Sequence, residues 1–270
     1  MTVSPKLLGL DADWLTRVLS DGGHTGATVS ELTVEPVAFT GATTDMARLR
    51  ISYGDGEPGP ATLIAKIRGT RDVQVQMDQA MGLYDREARF YEHLADGVPV
   101  GVPDCFYVGD GDREPLLLED LGALRMGDQI DGITVADAEA VLDALGDLHA
   151  AFWGSAALQQ PWLVSPAAGV YAQMIGQLVS SGAPALAERY AGRAPEAVLS
   201  SVIDAAPNWG AILARCAEGP PTLAHNDCRL DNIFFAPEGT PRFIDWQIPA
   251  RTRGTQDVGN LLAGSMNVEL

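Results

Sequence analysis

The segment from His225 to Asp245 limits the fold of this chain more than any other stretch. It reads His-Asn-Asp-Cys-Arg-Leu-Asp-Asn, then Ile-Phe-Phe, a Pro237-Glu238-Gly239 turn, and Phe-Ile-Asp-Trp. Apolar residues bracket the polar ones: Ile233, Phe234 and Phe235 stand before the turn, Phe243 and Ile244 after it. Such a pattern predicts a polar loop, a strand, a turn and a second strand, with the loop and the far end of the hairpin brought together. Asp227 and Asn232 lie five positions apart, and Asp245 thirteen further on.

That spacing suits transfer of a phosphoryl group. One carboxylate, Asp227, would stand beside the hydroxyl that receives phosphate. The Asn232 carboxamide and the Asp245 carboxylate would hold magnesium against the nucleotide phosphates. Either fragment alone is a weak signal, whereas the joint pattern is specific.

Further upstream, Ala61-Thr62-Leu63-Ile64-Ala65-Lys66-Ile67 is an apolar strand with one lysine inside it. An ammonium flanked by buried residues costs several kcal/mol unless an anion meets it. Glu87, in the helical stretch Leu83-Tyr84-Asp85-Arg86-Glu87-Ala88-Arg89-Phe90-Tyr91, is the candidate partner. The pair would position phosphate. The bland alternatives are an edge-strand lysine pointing to solvent and a solvated helix glutamate. Two alternating segments, Val29 to Phe39 and Met46 to Ser52, flank Thr40-Gly41-Ala42-Thr43-Thr44-Asp45. This predicts an antiparallel pair whose turn, through Gly41, either presents N–H groups to phosphates or is an ordinary hairpin turn. Residues 104 to 108 and 115 to 118 read as further strands. Leu116-Leu117-Leu118-Glu119-Asp120-Leu121-Gly122 then suits a hinge whose backbone at Glu119 and Leu121 could read an adenine edge.

Elsewhere the pattern is helical. Asp11 can cap a helix carrying Trp14, Leu15, Val18 and Leu19, read as an N-terminal flap. Val135 to Trp153 is a long amphipathic helix, with others near 168 to 182 and 195 to 217. His149 lies on the apolar stripe and His225 opens the loop; both are expected to brace the loop by hydrogen bonds rather than exchange protons.

Composition restricts the partners. Eighteen basic against thirty-six acidic residues give a net charge of −18, which disfavours nucleic acid and anionic membrane surfaces. The charge would draw a cationic substrate, or it serves solubility alone. Without an apolar run of eighteen residues or a signal peptide, a cytoplasmic location is expected. Cys105, Cys216 and Cys228 are scattered and suggest neither a disulfide framework nor zinc.

Taken together, the chain resembles the aminoglycoside phosphotransferase and choline kinase superfamily, most closely its ecdysteroid-kinase-like branch, over nearly its whole length. The resemblance rests on Lys66 in its strand, Glu-Ala-Arg-Phe-Tyr at Glu87, the Leu-Leu-Leu-Glu-Asp-Leu hinge, Leu-His-Ala-Ala-Phe-Trp at 148 to 153, the His225 loop, Phe-Ile-Asp-Trp-Gln and Asp-Val-Gly-Asn-Leu-Leu. It implies an α+β, two-lobed protein-kinase-like fold. A small antiparallel β lobe with one key helix would span 1–120 and a larger, mainly helical lobe 121–270. It also implies ATP and Mg2+ as cofactors and a small hydroxyl-bearing substrate, such as an aminoglycoside-like, sugar, choline-like or steroid compound. Asp227 would be the base, Asn232 and Asp245 the metal ligands, Lys66 and Glu87 the phosphate pair, and Asp257 a structural residue holding the loop.

Two departures stand out. Asn226 occupies a place where the family commonly has Gly, so the loop must suit a residue that tolerates left-handed backbone. Relatives usually continue through several more helices beyond the point where this sequence stops, so either the chain is shortened or its acceptor pocket is open. Two other functions stay in play: a kinase-like module that binds nucleotide without turnover, and a metal-dependent phosphohydrolase that would leave Lys66, Glu87 and the hinge without a task.

Overall fold

The computed structural model describes residues 3–37 and 43–266. The first half opens with a short helix, α1 (Pro5–Leu8), and a second, α2 (Ala12–Asp21), which Asp11 caps by accepting from the Trp14 N–H at 2.7 Å. A five-stranded antiparallel sheet follows: β1 (Val29–Pro36), β2 (Thr44–Tyr53), β3 (Thr62–Arg68), β4 (Cys105–Tyr107) and β5 (Leu116–Glu119), in the order β1-β2-β3-β5-β4. The register sets Val34 opposite Leu49, Ala47 opposite Ala65 and Lys66 opposite Leu116. Leu15 and Leu19 are wholly buried with Leu49, Leu63, Ile67 and Leu117. The expected flap is therefore part of this lobe's core: its apolar stripe closes one face of the sheet, where burial is worth roughly 1.5–3 kcal/mol per large side chain.

Two helices sit between β3 and β4. The sequence reading missed α3 (Asp72–Met81), whose polar run Asp-Val-Gln-Val-Gln lacks a strong apolar period. It ends at Gly82, in left-handed backbone at φ 62°, which also starts α4 (Leu83–His93). Arg68, at the end of β3, fixes this corner by pairing with Asp78 at 2.5 Å and with Asp85. Thr44 and Asp45, read as turn, belong to β2, where they pair with Arg68 and Ile67. The proposed phosphate turn at Gly41 lies outside the described residues.

After β5 come β6 (Arg125–Met126) and α5 (Val135–Ala151), capped by Thr134. Next are α6 (Gly169–Tyr190), α7 (Glu196–Ala205) and α8 (Trp209–Cys216). The helical stretch expected near 168 to 182 runs on through Pro184, which removes one helical hydrogen bond, to Tyr190. The helical stretch Glu196–Cys216, with mean hydropathy 1.2, is long and apolar enough by length and composition to cross a membrane, and little of it is buried. A 3-10 turn at Ala206–Asn208 interrupts it, and both of its helices pack on α6. The chain then forms β7 (Thr222–Ala224), β8 (Ile233–Phe235), β9 (Pro241–Phe243), β10 (Ala250–Thr252) and α9 (Thr255–Ser265). The strands form a β6-β8-β9 sheet and a β7-β10 pair.

The larger hydrophobic cluster does not respect the division at residue 120. Tyr84, Phe90, Tyr91 and Leu94 of the α4 region, with Leu116 and Leu118 of β5, pack with Leu145, Leu148, Ile233, Phe243 and Trp246 of the second half. α4 is thus fastened to both halves, which positions what it carries.

Candidate active site

Lys66, at 5% exposure, projects from β3 into the space between the halves. Its Nζ stands 2.7 Å from each carboxylate oxygen of the fully buried Glu87 and 3.2 Å from Asp245 Oδ1. Residues from β3, α4 and the turn after β9 therefore meet at one ammonium. Burial works against the charge on Lys66, but the Glu87 and Asp245 carboxylates outweigh it and raise its pKa. Glu87 is raised above the usual carboxylate range by burial, opposed by Lys66 and reinforced by Asp245. One ammonium serving two carboxylates leaves a net negative site, which a divalent cation would relieve.

The approach of Glu87 and Asp245 is set by packing. Phe90, one turn beyond Glu87, stacks on Trp246, next to Asp245, at 4.0 Å between ring centroids and 4° between planes. Trp246 Nε1 donates to the Phe243 carbonyl at 3.1 Å, which fixes the ring to the hairpin. Asp245 has φ 66°, left-handed backbone that a non-glycine residue adopts only where its surroundings impose it.

The loop before β8 holds the other candidates. Asn232 Nδ2 donates to Asp227 Oδ2 at 2.9 Å and to the Asp227 carbonyl at 3.0 Å, so the amide group is spent and Asn232 Oδ1 is the atom left for a cation. Arg229 Nε lies 3.4 Å from the same Asp227 Oδ2. Among the described residues only Asp227 Oδ2 is bonded, which leaves Oδ1 to face a hydroxyl. Asn226 has φ 68°, the left-handed conformation that its place in the motif demands. Buried Asp257, from α9, accepts from the backbone N–H of His225 at 2.9 Å and of Asn226 at 2.7 Å, and bonds His149 Nε2 at 2.9 Å. Thus both histidines act as braces. His225 Nε2 meets the Ile244 carbonyl at 2.8 Å while its Nδ1 accepts from the Asp227 N–H, so the proton lies on Nε2.

At the hinge, the Glu119 carboxylate forms a two-pronged pair with Arg242 of β9 at 2.8 and 2.5 Å, and its backbone N–H donates to the Asp104 carbonyl at 2.8 Å. The Glu119 side chain thus ties the halves together. Leu121 is buried and its carbonyl accepts from the Leu124 N–H. Asp120 pairs with Arg48 of β2.

Magnesium suits the donors present. Among the described residues no three His, Cys, Asp or Glu side chains cluster tightly enough to hold a metal alone. Asp245 with the Asn232 oxygen is the sparse protein share expected of a magnesium ion that completes its shell with phosphates and water. The sequence reading missed Gln247, Arg242 and the Phe90–Trp246 stack. A glutamine directly after an apolar hairpin was the one signal available for Gln247. The other contacts are long-range pairings of ordinary residues.

No curated protein matches the chain in sequence. Solved structures do match in shape. The gentamicin complex of the phosphotransferase APH(2″)-IIa is similar at TM-score 0.53 and 17% identity, over 97% of this chain and 79% of that one. The macrolide 2′-phosphotransferase MphH from Brachybacterium faecium gives 0.53 and 19%, over 94% and 77%. Choline kinase LicA from Streptococcus pneumoniae gives 0.50 and 18%, over 86% and 69%. At these identities the likeness establishes the fold, which is two-lobed and protein-kinase-like. The ecdysteroid kinase-like profile matches residues 40–270, which takes in every candidate residue from Gly41 to Asp257. The chain belongs to the ecdysteroid kinase-like family.

Proposed function

We propose that this protein is an ATP- and magnesium-dependent O-phosphotransferase that acts on a hydroxyl of a small molecule. The observation that carries this reading is the meeting of Lys66, Glu87 and Asp245 within hydrogen-bonding distance where β3, α4 and the turn after β9 converge. In that arrangement Glu87 holds Lys66 extended, and Lys66 is placed to contact nucleotide phosphates. Asp227, held by Asn232, presents Oδ1 to the acceptor hydroxyl and takes up its proton as the acceptor oxygen bonds the γ-phosphorus and the bond from that phosphorus to the bridging oxygen breaks, releasing ADP. Asp245 and Asn232 would hold magnesium, which when bound offsets charge on the transferring phosphoryl oxygens.

The acceptor is better sought among weakly charged compounds than among polycations. Between 155 and 221 the acids Glu188, Glu196, Asp204 and Glu218 are nearly balanced by Arg189, Arg193 and Arg215, so the −18 of the chain resides almost wholly elsewhere. A cavity of about 160 Å³ at the start of α6, lined by Ala80, Met81, Val164, Ala168, Gly169 and Met174 beside Arg86, is mostly apolar. None of the candidate catalytic residues line it.

The test is ADP release from purified protein given ATP and magnesium with a panel of aminoglycosides, macrolides, sugars, choline and sterols. Acceptor-dependent release is expected, strongest with a weakly charged alcohol. Release that needs no acceptor would make the protein a hydrolase, and nucleotide-induced thermal stabilisation without ADP from any acceptor would make it a binding module. Asp227→Ala should lower transfer by about 10²–10⁴-fold while sparing nucleotide affinity.

A further inference from the structure

Two positions beyond Asp245, Gln247 is buried at 6% exposure, a place its carboxamide can occupy only if its donors and acceptor are met. They are met by the other lobe. Gln247 Oε1 accepts from the Thr43 hydroxyl, Nε2 lies 3.4 Å from Thr44 Oγ1, and the same amide lies near enough to the Glu87 carboxylate to lower its pKa. Thr43 and Thr44 are themselves buried, and the Thr44 carbonyl accepts from Gln74 Nε2 of α3 at 3.3 Å. One side chain from the Asp245 hairpin thus touches the start of β2, where the chain leaves the β1–β2 turn, and the acid that holds Lys66.

An amide in this position is a poor choice for stability alone. A well-packed apolar residue of similar volume would do as well, because the desolvation of the amide cancels most of what its hydrogen bonds return. What the amide adds is a geometric condition. Its contacts with Thr43, Thr44 and Glu87 form together only when the start of β2, α4 and the Asp245 hairpin are in register.

We propose that Gln247 is a positioning residue that couples the start of β2, at Thr43 and Thr44, and the Lys66–Glu87 pair to the Asp245 hairpin, so that nucleotide phosphates are gripped from both lobes at once. This inference rests on the phosphotransferase reading above. It assigns Gln247 no contact with substrate.

The experiment measures MgATP affinity by calorimetric titration, together with KM for ATP and for acceptor, in wild type, Gln247→Leu, Thr43→Val and the double variant. Gln247→Leu should weaken MgATP about tenfold, the equivalent of one charged-group hydrogen bond, and raise KM for ATP while KM for acceptor stays put. Thr43→Val should weaken MgATP by less, and the double variant should be no weaker than Gln247→Leu. A merely structural glutamine would lower the melting temperature and the active fraction together and leave both KM values where they were. That result, or effects of the two substitutions that multiply, overturns the coupling. Should Gln247→Leu fail to fold, Thr43→Val decides alone: unchanged affinity there rejects the proposal. A wild type that does not bind MgATP removes the phosphotransferase reading and this inference with it, whereas binding that none of the variants alters removes only the inference.

Discussion

Residues 222–252 and 169–216 lie in the same half of the molecule and are built on opposite terms. The first stretch has strands of only three residues, too short to persist by themselves, yet Leu223, His225, Asn226, Asn232, Phe243, Trp246 and Gln247 are all buried. The second has α6, α7 and α8 with the 3-10 turn between the last two; among its described residues only Ala183 and Ala206 are buried, while Leu178, Leu186, Val198 and Ile203 face outward. Side-chain hydrogen bonds hold the short strands; backbone hydrogen bonds within each helix hold the long ones. The contrast teaches where this fold needs atoms fixed. On the proposed function, transfer would tolerate little displacement, which fits a stretch carrying Asp227 and Asp245 that is tied by many side-chain bonds, with the helices left free to vary.

The strongest way to break that contrast is Asp257→Ala. It would strand the His225 and Asn226 N–H groups and His149 Nε2 without their acceptor in a fully buried place. We expect a loss of about 3–5 kcal/mol in urea unfolding, the scale for removing one partner of a buried charged network. A loss below about 1 kcal/mol would mean the loop is held by something other than these bonds. Phe90→Ala should follow at about 3–4 kcal/mol, since a buried aromatic ring leaves a cavity against Trp246. It should also impair turnover out of proportion to the unfolded fraction, because the stack sets the distance from Glu87 to Asp245.

Substitution in the looser stretch should run the other way. Pro184 lies exposed inside α6, where a proline costs up to about 3 kcal/mol relative to alanine. Pro184→Ala is expected to raise the melting temperature, and a fall would show that the bend at this residue is needed for packing against α7 or α8.

The same division explains how much could be read from the chain before its coordinates. Lys66 and Asp245 were legible because each is a charge placed among apolar neighbours, and Glu87 because a buried lysine needs an acid that the following helix can supply. Asn226 was legible because its backbone angle follows from its place in the motif. By contrast, the side chain of Glu119 is claimed by Arg242, and Gln247 reaches Thr43. Such pairings depend on how two lobes dock, and no local pattern records that. The start of β2 at Thr44 and the passage of α6 through Pro184 were misread for a related reason: tertiary packing overrode a turn-like composition in one case and a helix breaker in the other. Lobe architecture and the charged centre are therefore local information, while the fastening of the lobes is not.

That fastening has a pH signature. Burial alone would raise the Glu119 pKa, but Arg242 and the Asp104 N–H hold it below the ordinary glutamate value. A carboxylate lowered in the folded state contributes stability that is complete above the unfolded pKa, about 4.3, and is lost as pH falls through the lower folded value. Asp120, lowered by Arg48 and the Gly122 N–H against the effect of burial, adds to the same acid limb. Comparing urea midpoints of wild type and Glu119→Gln should show a gap at neutral pH that narrows below about pH 4. A gap that stays constant across this range would remove the ion pair from the account of how the lobes are joined.

The smallest effects are expected where the outward face of the helices is trimmed. Leu178 and Val198, 66% and 53% exposed, contact little, and replacing either by Ala should change stability by no more than about 0.5 kcal/mol. Near-neutrality at both sites is what the contrast with Asp257 and Phe90 requires. If instead either change costs more than about 1 kcal/mol, and the cost grows with protein concentration, the face is covered by a second copy in solution. The apolar residues of α6 and α7 would then be packed after all, and the difference between the two stretches would be one of what covers them rather than of how they are held.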